Sequence, residues 1–538
     1  MTKMSLYKIL KRSRVIIALI SFILILSLFV DIYEWIPVGG YDKVTWLQFL
    51  PSVLHFFAVF SLASAGGFLV VVLITLISGR IYCSVICPLG ILQDIVNYIA
   101  RWRSKKKRFF KFHKAVPILR YVLLSVTVFA VIAGLGWLVT WLDPYSIAAR
   151  TFTYLLKPLV VWFNNDIVVP LFQKFEIYLF YHQNLLVASI LPAVITLAVI
   201  IAIGYFAWKH GRLFCNTICP VGTLLGEISR FSFFKVQFDK NVCTRCGRCA
   251  GVCKSECIDI KNYTVDTTRC VSCFNCLAIC PETALSLRPH KNITQNKTSK
   301  EKGEQQDKLA HDSNRRKLLI AGLVMLCGNR IYALKKEKLP EQQKHLVRNK
   351  KDHPVAPPGA ISIKRFNDIC TGCSLCIAAC PTGVLQPALT EYGLTGFMQP
   401  HMDYSTYFCN YDCNKCGEVC PTGAILPLAL EEKQLTQMGK AVFVRQNCVV
   451  YTDGTVCGAC SEHCPTKAVS MVPYKDGLRI PHVDQSICIG CGACEYPCPV
   501  PEPYKAIYVN GNAVQQKAKS PYDEADKPNV VPEDDFPF

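Results

Sequence analysis

Long apolar runs alternate with short basic stretches through the first 210 residues. A bilayer span takes about 20 apolar residues of helix. Four runs approach or exceed that length: 15–30 with its flanks, 56–77, 121–142 and 185–206. Each is expected to cross a membrane. Segment 154–180 is apolar too, but "FNNDIVVP" interrupts it, so it is expected at the outer surface or as a re-entrant piece. Beyond residue 210 the pattern breaks into short strands and turns between cysteines. The fold class expected is a membrane bundle of four helices in two pseudo-symmetric pairs, followed by ferredoxin-like α+β modules.

The basic residues set the orientation. "KILKRSR" precedes the first run, "RWRSKKKRFFKFHK" separates the second from the third, and "WKHGR" follows the fourth. Basic loops stay in the cytoplasm, which puts the N-terminus, loop 79–120 and the chain after 206 on that side. The net charge of +20 therefore reads as a topology signal. No aromatic or basic nucleic-acid motif accompanies it, so nucleic acid is not expected as a partner.

Thirty cysteines change the picture most. Most fall in C-x2-C-x2-C-x3-C runs, whose thiolates hold [4Fe–4S] clusters and whose last cysteine serves the neighbouring cluster. In the module 239–290, Cys243, Cys246, Cys249 and Cys280 are expected to hold one cluster. Cys270, Cys273, Cys276 and Cys253 are expected to hold a second. Lys254 replaces the usual proline after Cys253, and Cys257, close by, is expected to stand aside, with its replacing Cys253 as a ligand as the alternative.

Four further runs occupy 335–510: Cys370, Cys373, Cys376, Cys380; Cys409, Cys413, Cys416, Cys420; Cys448, Cys457, Cys460, Cys464; and Cys488, Cys491, Cys494, Cys498. They provide ligands for four more clusters, about six in all. A hairpin over "KDG" between the third and fourth runs favours pairing third with fourth and first with second. A nested pairing, first with fourth and second with third, is the rival.

Two shorter elements repeat. "GRIYCSVICPLG" and "GRLFCNTICPVG" each follow an apolar run and are offset by 132 residues. Same-side repeats imply a pseudo-two-fold axis along the membrane normal. That axis would gather Cys83, Cys87, Cys215 and Cys219 at the cytoplasmic mouth, as metal ligands or redox thiols.

Between the cysteine-rich modules, 291–312 reads as polar linker. Residues 313–334 contain the twin arginines Arg315 and Arg316 before a short apolar run, as in export signals for folded, cofactor-loaded proteins, with a short membrane segment as the alternative; Cys327 within it has no assigned role. Residues 511–538 read as an acidic tail. The domain expected before all this is a transmembrane part, 1–238. No dinucleotide, flavin, Walker or covalent-haem signature stands out. Quinol is the natural donor for such a membrane piece, and His55 and His182 are candidates to accept its proton or to bind haem.

In this order of parts, residues 1–290 resemble the NapH family and residues 313–510 resemble NapG. The first likeness rests on the four apolar runs, both CxxxCP elements and the dicluster run. The second rests on the twin arginines, "PPGAISIKRFNDICTGCSLCIAACP" and four cysteine runs. The resemblance implies a quinol dehydrogenase component in a bacterial inner membrane, with residues 239–290 cytoplasmic and 335–538 periplasmic. It would pass electrons to a periplasmic reductase or cytochrome. Those families are usually separate chains, and here they are joined. Cousins imply two alternatives: copper reduction during oxidase assembly, and redox regulation.

Overall fold

The computed structural model of the chain describes residues 3–103, 110–114, 116–184, 189–289 and 346–521. Arg315, Arg316, Cys327, the linker and the residues beyond 521 lie outside these. The first helix, Lys3–Val30, has 28 residues and no proline or glycine. At 1.5 Å per residue it is roughly 42 Å long, enough to cross a bilayer. Leu191–His210 opens with Pro192 in its first turn, where no N–H is needed. It ends at Gly211, whose φ is +66° and whose missing Cβ would sit 2.1 Å from the Lys254 carbonyl oxygen.

Segment 154–180 departs from its expectation. Residues Pro144–Gln173 form a continuous helix, 30 residues long and apolar enough to cross a membrane. The cues that argued against a helix are absorbed locally. Pro158 and Pro170 cannot donate to the carbonyl four residues back. That carbonyl falls in each case inside a π turn, Phe152–Leu156 or Asn164–Val168, which relaxes the clash. The asparagines find partners at the helix side: Tyr33 Oη donates to Asn164 Oδ1 at 2.6 Å, and Asn165 Nδ2 donates to the Gln183 carbonyl at 2.8 Å.

Two expected spans are interrupted instead. Run 56–77 divides between Phe49–Val59 and Leu62–Ser78, with Phe60 left-handed between them. Run 121–142 divides between Pro117–Ile132 and Gly136–Leu142. Docking explains the second break: a Cβ on Gly136 would meet the Asn367 carbonyl oxygen at 2.3 Å. Among the described residues three helices are long and apolar enough to span, with three shorter apolar helices beside them.

Each cysteine-rich module closes on short antiparallel sheets, and two boundaries move. Phe234–Phe238 pairs with Leu285–Pro289, so the dicluster module begins before residue 239. Ile507–Lys517 pairs with Thr436–Phe443, so residues 511–517 are sheet and not tail. The hairpin Val469–Pro473 with Arg479–Val483 forms over "KDG", and Asp476 takes the left-handed turn position.

The modules cap opposite ends of the bundle. At one end Ser272 Oγ donates to the Ser78 carbonyl (2.7 Å), Arg212 N to the Lys254 carbonyl (2.8 Å) and Phe233 N to the Leu76 carbonyl (2.7 Å). At the other, Lys415 pairs with Glu34 at 2.6 Å, Trp141 stacks on Phe397 and Gly423 rests on His55 and Ala58. Lys3–Val30 runs between the two ends. Bundle and modules belong to one compact unit.

Candidate metal centres

The structure gathers the ferredoxin cysteines in fours. Cys243, Cys246, Cys249 and Cys280 line one small cavity, and Cys249 senses the charges of the other three. Cys376 lies within electrostatic reach of Cys370, Cys373 and Cys420, and Cys416 of Cys409, Cys413 and Cys380. Cys448, Cys457, Cys460 and Cys498 surround another cavity, and Cys494 senses Cys488, Cys491 and Cys464. First run thus shares with second and third with fourth; the nested arrangement is absent.

The loops show why these sequences form cages. In all four regular runs the second and fourth residues after the first cysteine have positive φ: Arg245 and Gly247, Ser272 and Phe274, Gly372 and Ser374, Gly490 and Gly492. For a residue with a Cβ that conformation costs about 1–2 kcal/mol. A strain repeated at equivalent places marks a functional constraint. It turns backbone N–H groups inward, as a nest for anions does: Gly372 N lies 3.4 Å from Cys370 Sγ. Burial pushes Cys249 up to about 11 and Cys460 up to about 12, so these sulfurs become thiolates only when a metal balances the charge. The donor set and the nests fit [4Fe–4S] clusters.

The remaining cage holds five thiols, not four. Cys253, Cys257, Cys270, Cys273 and Cys276 line it together. Cys253 Sγ and Cys257 Sγ are 3.5 Å apart, so Cys257 does not stand aside. The missing proline after Cys253 was the visible sign. Lys254 occupies that place, and its ammonium reaches out of the module to Asp94.

The cages are strung in order. Cys373 senses Asp143 and Arg150 of the bundle, which puts the Cys370 cage against it. Cys376 senses Cys416 in the next cage. Cys409 N donates to the Cys491 carbonyl at 2.9 Å, tying that cage to the third, and the Cys448 cage shares its module.

The two CxxxCP elements meet as pseudo-symmetric partners. Arg80 Nη2 donates to the Cys215 carbonyl at 3.0 Å, and Arg212 Nη1 to the Cys83 carbonyl at 2.5 Å. A Cβ on Gly90 would meet the Cys83 oxygen at 2.2 Å, and one on Gly222 the Cys215 oxygen at 2.2 Å. That explains the trailing glycine of each repeat. Each segment turns back from the dicluster end into the bundle, where Tyr82 Oη accepts from Phe49 N. Asp94 secures this contact by pairing with Arg212 (2.8 Å), Arg14 (3.6 Å) and Lys254. Burial opposes its ionisation, but Arg212 and Lys254 outweigh that and hold the carboxyl well below the ordinary range.

Between bundle and four-cluster module lies a cavity of about 580 Å³. Asp31, Glu34, Lys157 and Lys415 bring charge to its wall, Val161 and Ile190 bring apolar surface, and Cys380 lines it from the module side. Lys157 Nζ donates to the Ala378 carbonyl at 2.5 Å, and Tyr154 Oη bonds Ser374 Oγ at 2.9 Å. Burial, then Asp31 and Glu34, push Tyr41 up to about 12. Of the two candidate histidines, His182 is exposed, and His55 packs against Gly423. Neither lines this cavity. Sequence reasoning did not find it, because its two walls come from residues more than 180 apart.

Among the described residues, no three His, Cys, Asp or Glu side chains close on one point as a single metal ion requires. That holds for the CxxxCP thiols as for the ferredoxin cages.

Comparison with known proteins gives the following. A 4Fe-4S binding domain family matches residues 60–109 and 190–238, which contain the CxxxCP repeats. Two 4Fe-4S dicluster domain families match 369–425 and 455–501, the first containing the first two C-terminal runs and the second the last two apart from Cys448. Ferredoxin-type protein NapH of Escherichia coli (strain K12) is 26% identical over 275 residues, covering 47% of this chain and 80% of NapH. Ferredoxin-type protein NapG of the same organism is 32% identical over 164 residues, 28% of this chain and 68% of NapG. Methylamine utilization ferredoxin-type protein MauM of Methylophilus methylotrophus is 35% identical over 160 residues, 28% of this chain and 67% of MauM.

Proposed function

Because the chain belongs to the NapH/NapG family of ferredoxin-type membrane proteins and carries several [4Fe–4S] clusters, we propose that it draws electrons from membrane quinol and delivers them to a periplasmic reductase or cytochrome. The clusters, once bound, supply one-electron transfer at potentials set by hydrogen bonds, charge and exposure. The ligands are the six sets of cysteines gathered above. The basic loops support a dicluster end in the cytoplasm of a bacterial inner membrane. The four-cluster module then lies in the periplasm, and the twin arginines fit an export route for it.

The cavity beside Cys380 carries the quinol reading. Its apolar side admits a quinone ring and tail, and polar groups converge on one wall, as in small-molecule sites. Lys157 holds a quinol oxygen there, and the carboxylates of Asp31 and Glu34 take the protons toward the outer surface. Cys380 puts a cluster ligand on the same wall. The test is anaerobic reduction of the detergent-solubilised chain by a short-chain quinol, followed by bleaching of the cluster absorbance. The expected result is reduction by quinol, with KM raised roughly ten- to hundredfold in Lys157→Met, the worth of one charge-assisted hydrogen bond. Clusters that dithionite reduces and quinol does not would refute the donor.

A further inference from the structure

We propose that the outer face of the dicluster module is a docking surface for a small acidic iron–sulfur carrier protein, which passes single electrons to the chain at Cys246. The cavity beside Cys380 lies between the bundle and the four-cluster module. The dicluster module caps the opposite end, where Ser272 Oγ donates to the Ser78 carbonyl. Electrons that start from that cavity reach the four C-terminal cages without passing the dicluster cages, so these two need a partner of their own. The Cys270 cage sits against the bundle through Ser272, and its Cys276 lies within electrostatic reach of Cys249. The Cys243 cage is the outer of the two.

That outer cage is open to a partner. Of the cage cysteines, Cys246 alone is exposed; the others are buried or half-buried. Tunnelling falls off steeply with distance, so an exposed ligand is where a partner's cluster comes closest. Val242 and Ile279, each next to a cage cysteine, are 44% and 39% exposed and give the patch an apolar centre. Cations surround it. Arg245 and Arg248 line the cage and are exposed. Arg245 is held in place, its guanidinium 4.8 Å over the Tyr263 ring and its Nε donating to Tyr263 Oη at 2.5 Å. Exposed Lys240 and Lys261 flank Phe238 and Ile260, which line the same cage. Nearby carboxylates are occupied: Asp239 pairs with Arg288 at 3.1 Å, and Asp259 accepts from Asn262 Nδ2 at 2.8 Å and Lys261 N at 2.9 Å. Glu282 also lines the cage, outnumbered by the two arginines.

An apolar centre inside a polar rim is the anatomy of a protein interface, and a basic rim steers acidic partners onto it. An iron–sulfur carrier fits best. It moves one electron at a time, as the cage beneath does, and its own four-thiolate cluster adds negative charge. A bilayer surface would answer the cations but not the exposed cluster ligand. In the transfer, one electron leaves the reduced cluster of the carrier and enters the cluster held by Cys243, Cys246, Cys249 and Cys280. The carrier is oxidised by one electron and this chain is reduced by one; no bond forms or breaks and no proton moves. The surface does not depend on quinol being the other donor.

The test is anaerobic stopped-flow mixing of the full-length, detergent-solubilised chain, clusters oxidised, with a photochemically reduced small acidic ferredoxin, whose reoxidation gives the second-order rate. Arg245→Glu/Arg248→Glu is expected to slow it roughly ten- to hundredfold, and the wild-type rate is expected to fall steeply between about 50 and about 300 mM salt. Those arginines sit in the cage loop, so Lys240→Glu/Lys261→Glu, further from any cage cysteine, is measured beside them and is expected to slow the rate about threefold or more. Iron per chain is measured in each; where a variant loses iron, the salt dependence of the wild type decides. Unchanged rates in an iron-replete lysine variant, a wild-type rate indifferent to salt, or no reoxidation of ferredoxin overturns the proposal. So do variants that release the chain from anionic-lipid vesicles and leave the ferredoxin rate alone. Quinol takes no part in the assay, so a chain that ferredoxin reduces and quinol does not would keep this surface and lose the donor proposed above.

Discussion

Replacing Asp94 by Asn tests how the dicluster module is held to the bundle. The substitution keeps the shape and removes one negative charge from among three cations. Arg212, Lys254 and Arg14 have side chains only 0%, 5% and 8% exposed. Removing one partner of a buried ion pair costs about 3–5 kcal/mol, because the others stay buried and unpaired. The pair Asp239–Arg288 is the control: its side chains are 31% and 52% exposed, and such pairs are worth about 0–1 kcal/mol. Arg212 cannot shed its proton. Lys254 can, because burial draws it down to about 8 even beside Asp94. Without Asp94 its value falls further, so above pH 8 the ammonium is neutral in both proteins and adds nothing to the difference. Below pH 8 the wild type regains the charged, paired ammonium and the variant does not. The gap widens as pH falls, by up to about 1.4 kcal/mol per unit until the variant's own value is passed. Hydrogen exchange of the peptide containing Arg212, whose amide bonds the Lys254 carbonyl, reads this opening directly. At pH 7 the expected acceleration is roughly a hundred- to several-thousandfold, since each 1.4 kcal/mol is tenfold. Exchange in Asp94→Asn matching that of Asp239→Asn, or a gap that widens with rising pH, would refute the reasoning.

Further outcomes follow from single positions. Cys253→Ser is expected to keep the second dicluster cluster by recruiting Cys257, with a shifted paramagnetic signal, whereas Cys253→Ser/Cys257→Ser loses about four irons; iron analysis checks both, and loss in the single variant contradicts the five-thiol cage. Gly222→Ala drives a Cβ onto the Cys215 carbonyl and toward Arg80, an overpacking of about 1–3 kcal/mol. Gly204→Ala, in a helix with nothing within 4 Å, should instead be neutral or stabilising by up to about 1 kcal/mol; thermal midpoints in one detergent compare them.

Cysteine spacing makes the cages legible because five of the six runs supply three ligands within seven or eight residues. The run 448–464 needed more care, since its insertion hides the C-x2-C spacing between Cys448 and Cys457. The pairing of runs was legible through the "KDG" hairpin, a local signal. The CxxxCP repeat was legible as a repeat, and its trailing glycines and arginines acquire a reason only in the packed pair, where Arg80 and Arg212 cross to each other's cysteine carbonyl. The span pattern was less secure. Hydropathy sees Pro158, Pro170 and Asn164 as breakers, because it cannot see the π turns or Tyr33 that accommodate them.

By itself, then, the sequence determined the local chemistry: which thiols form sets, where apolar helix is possible and which two segments repeat. These depend on neighbours a few residues apart. Tertiary structure decided which helices run unbroken, that the modules cap opposite ends, that a cavity opens beside Cys380 and that Asp94 locks three cations. Each of these depends on surfaces brought together from residues far apart in the chain, and no short-range pattern encodes how such surfaces meet.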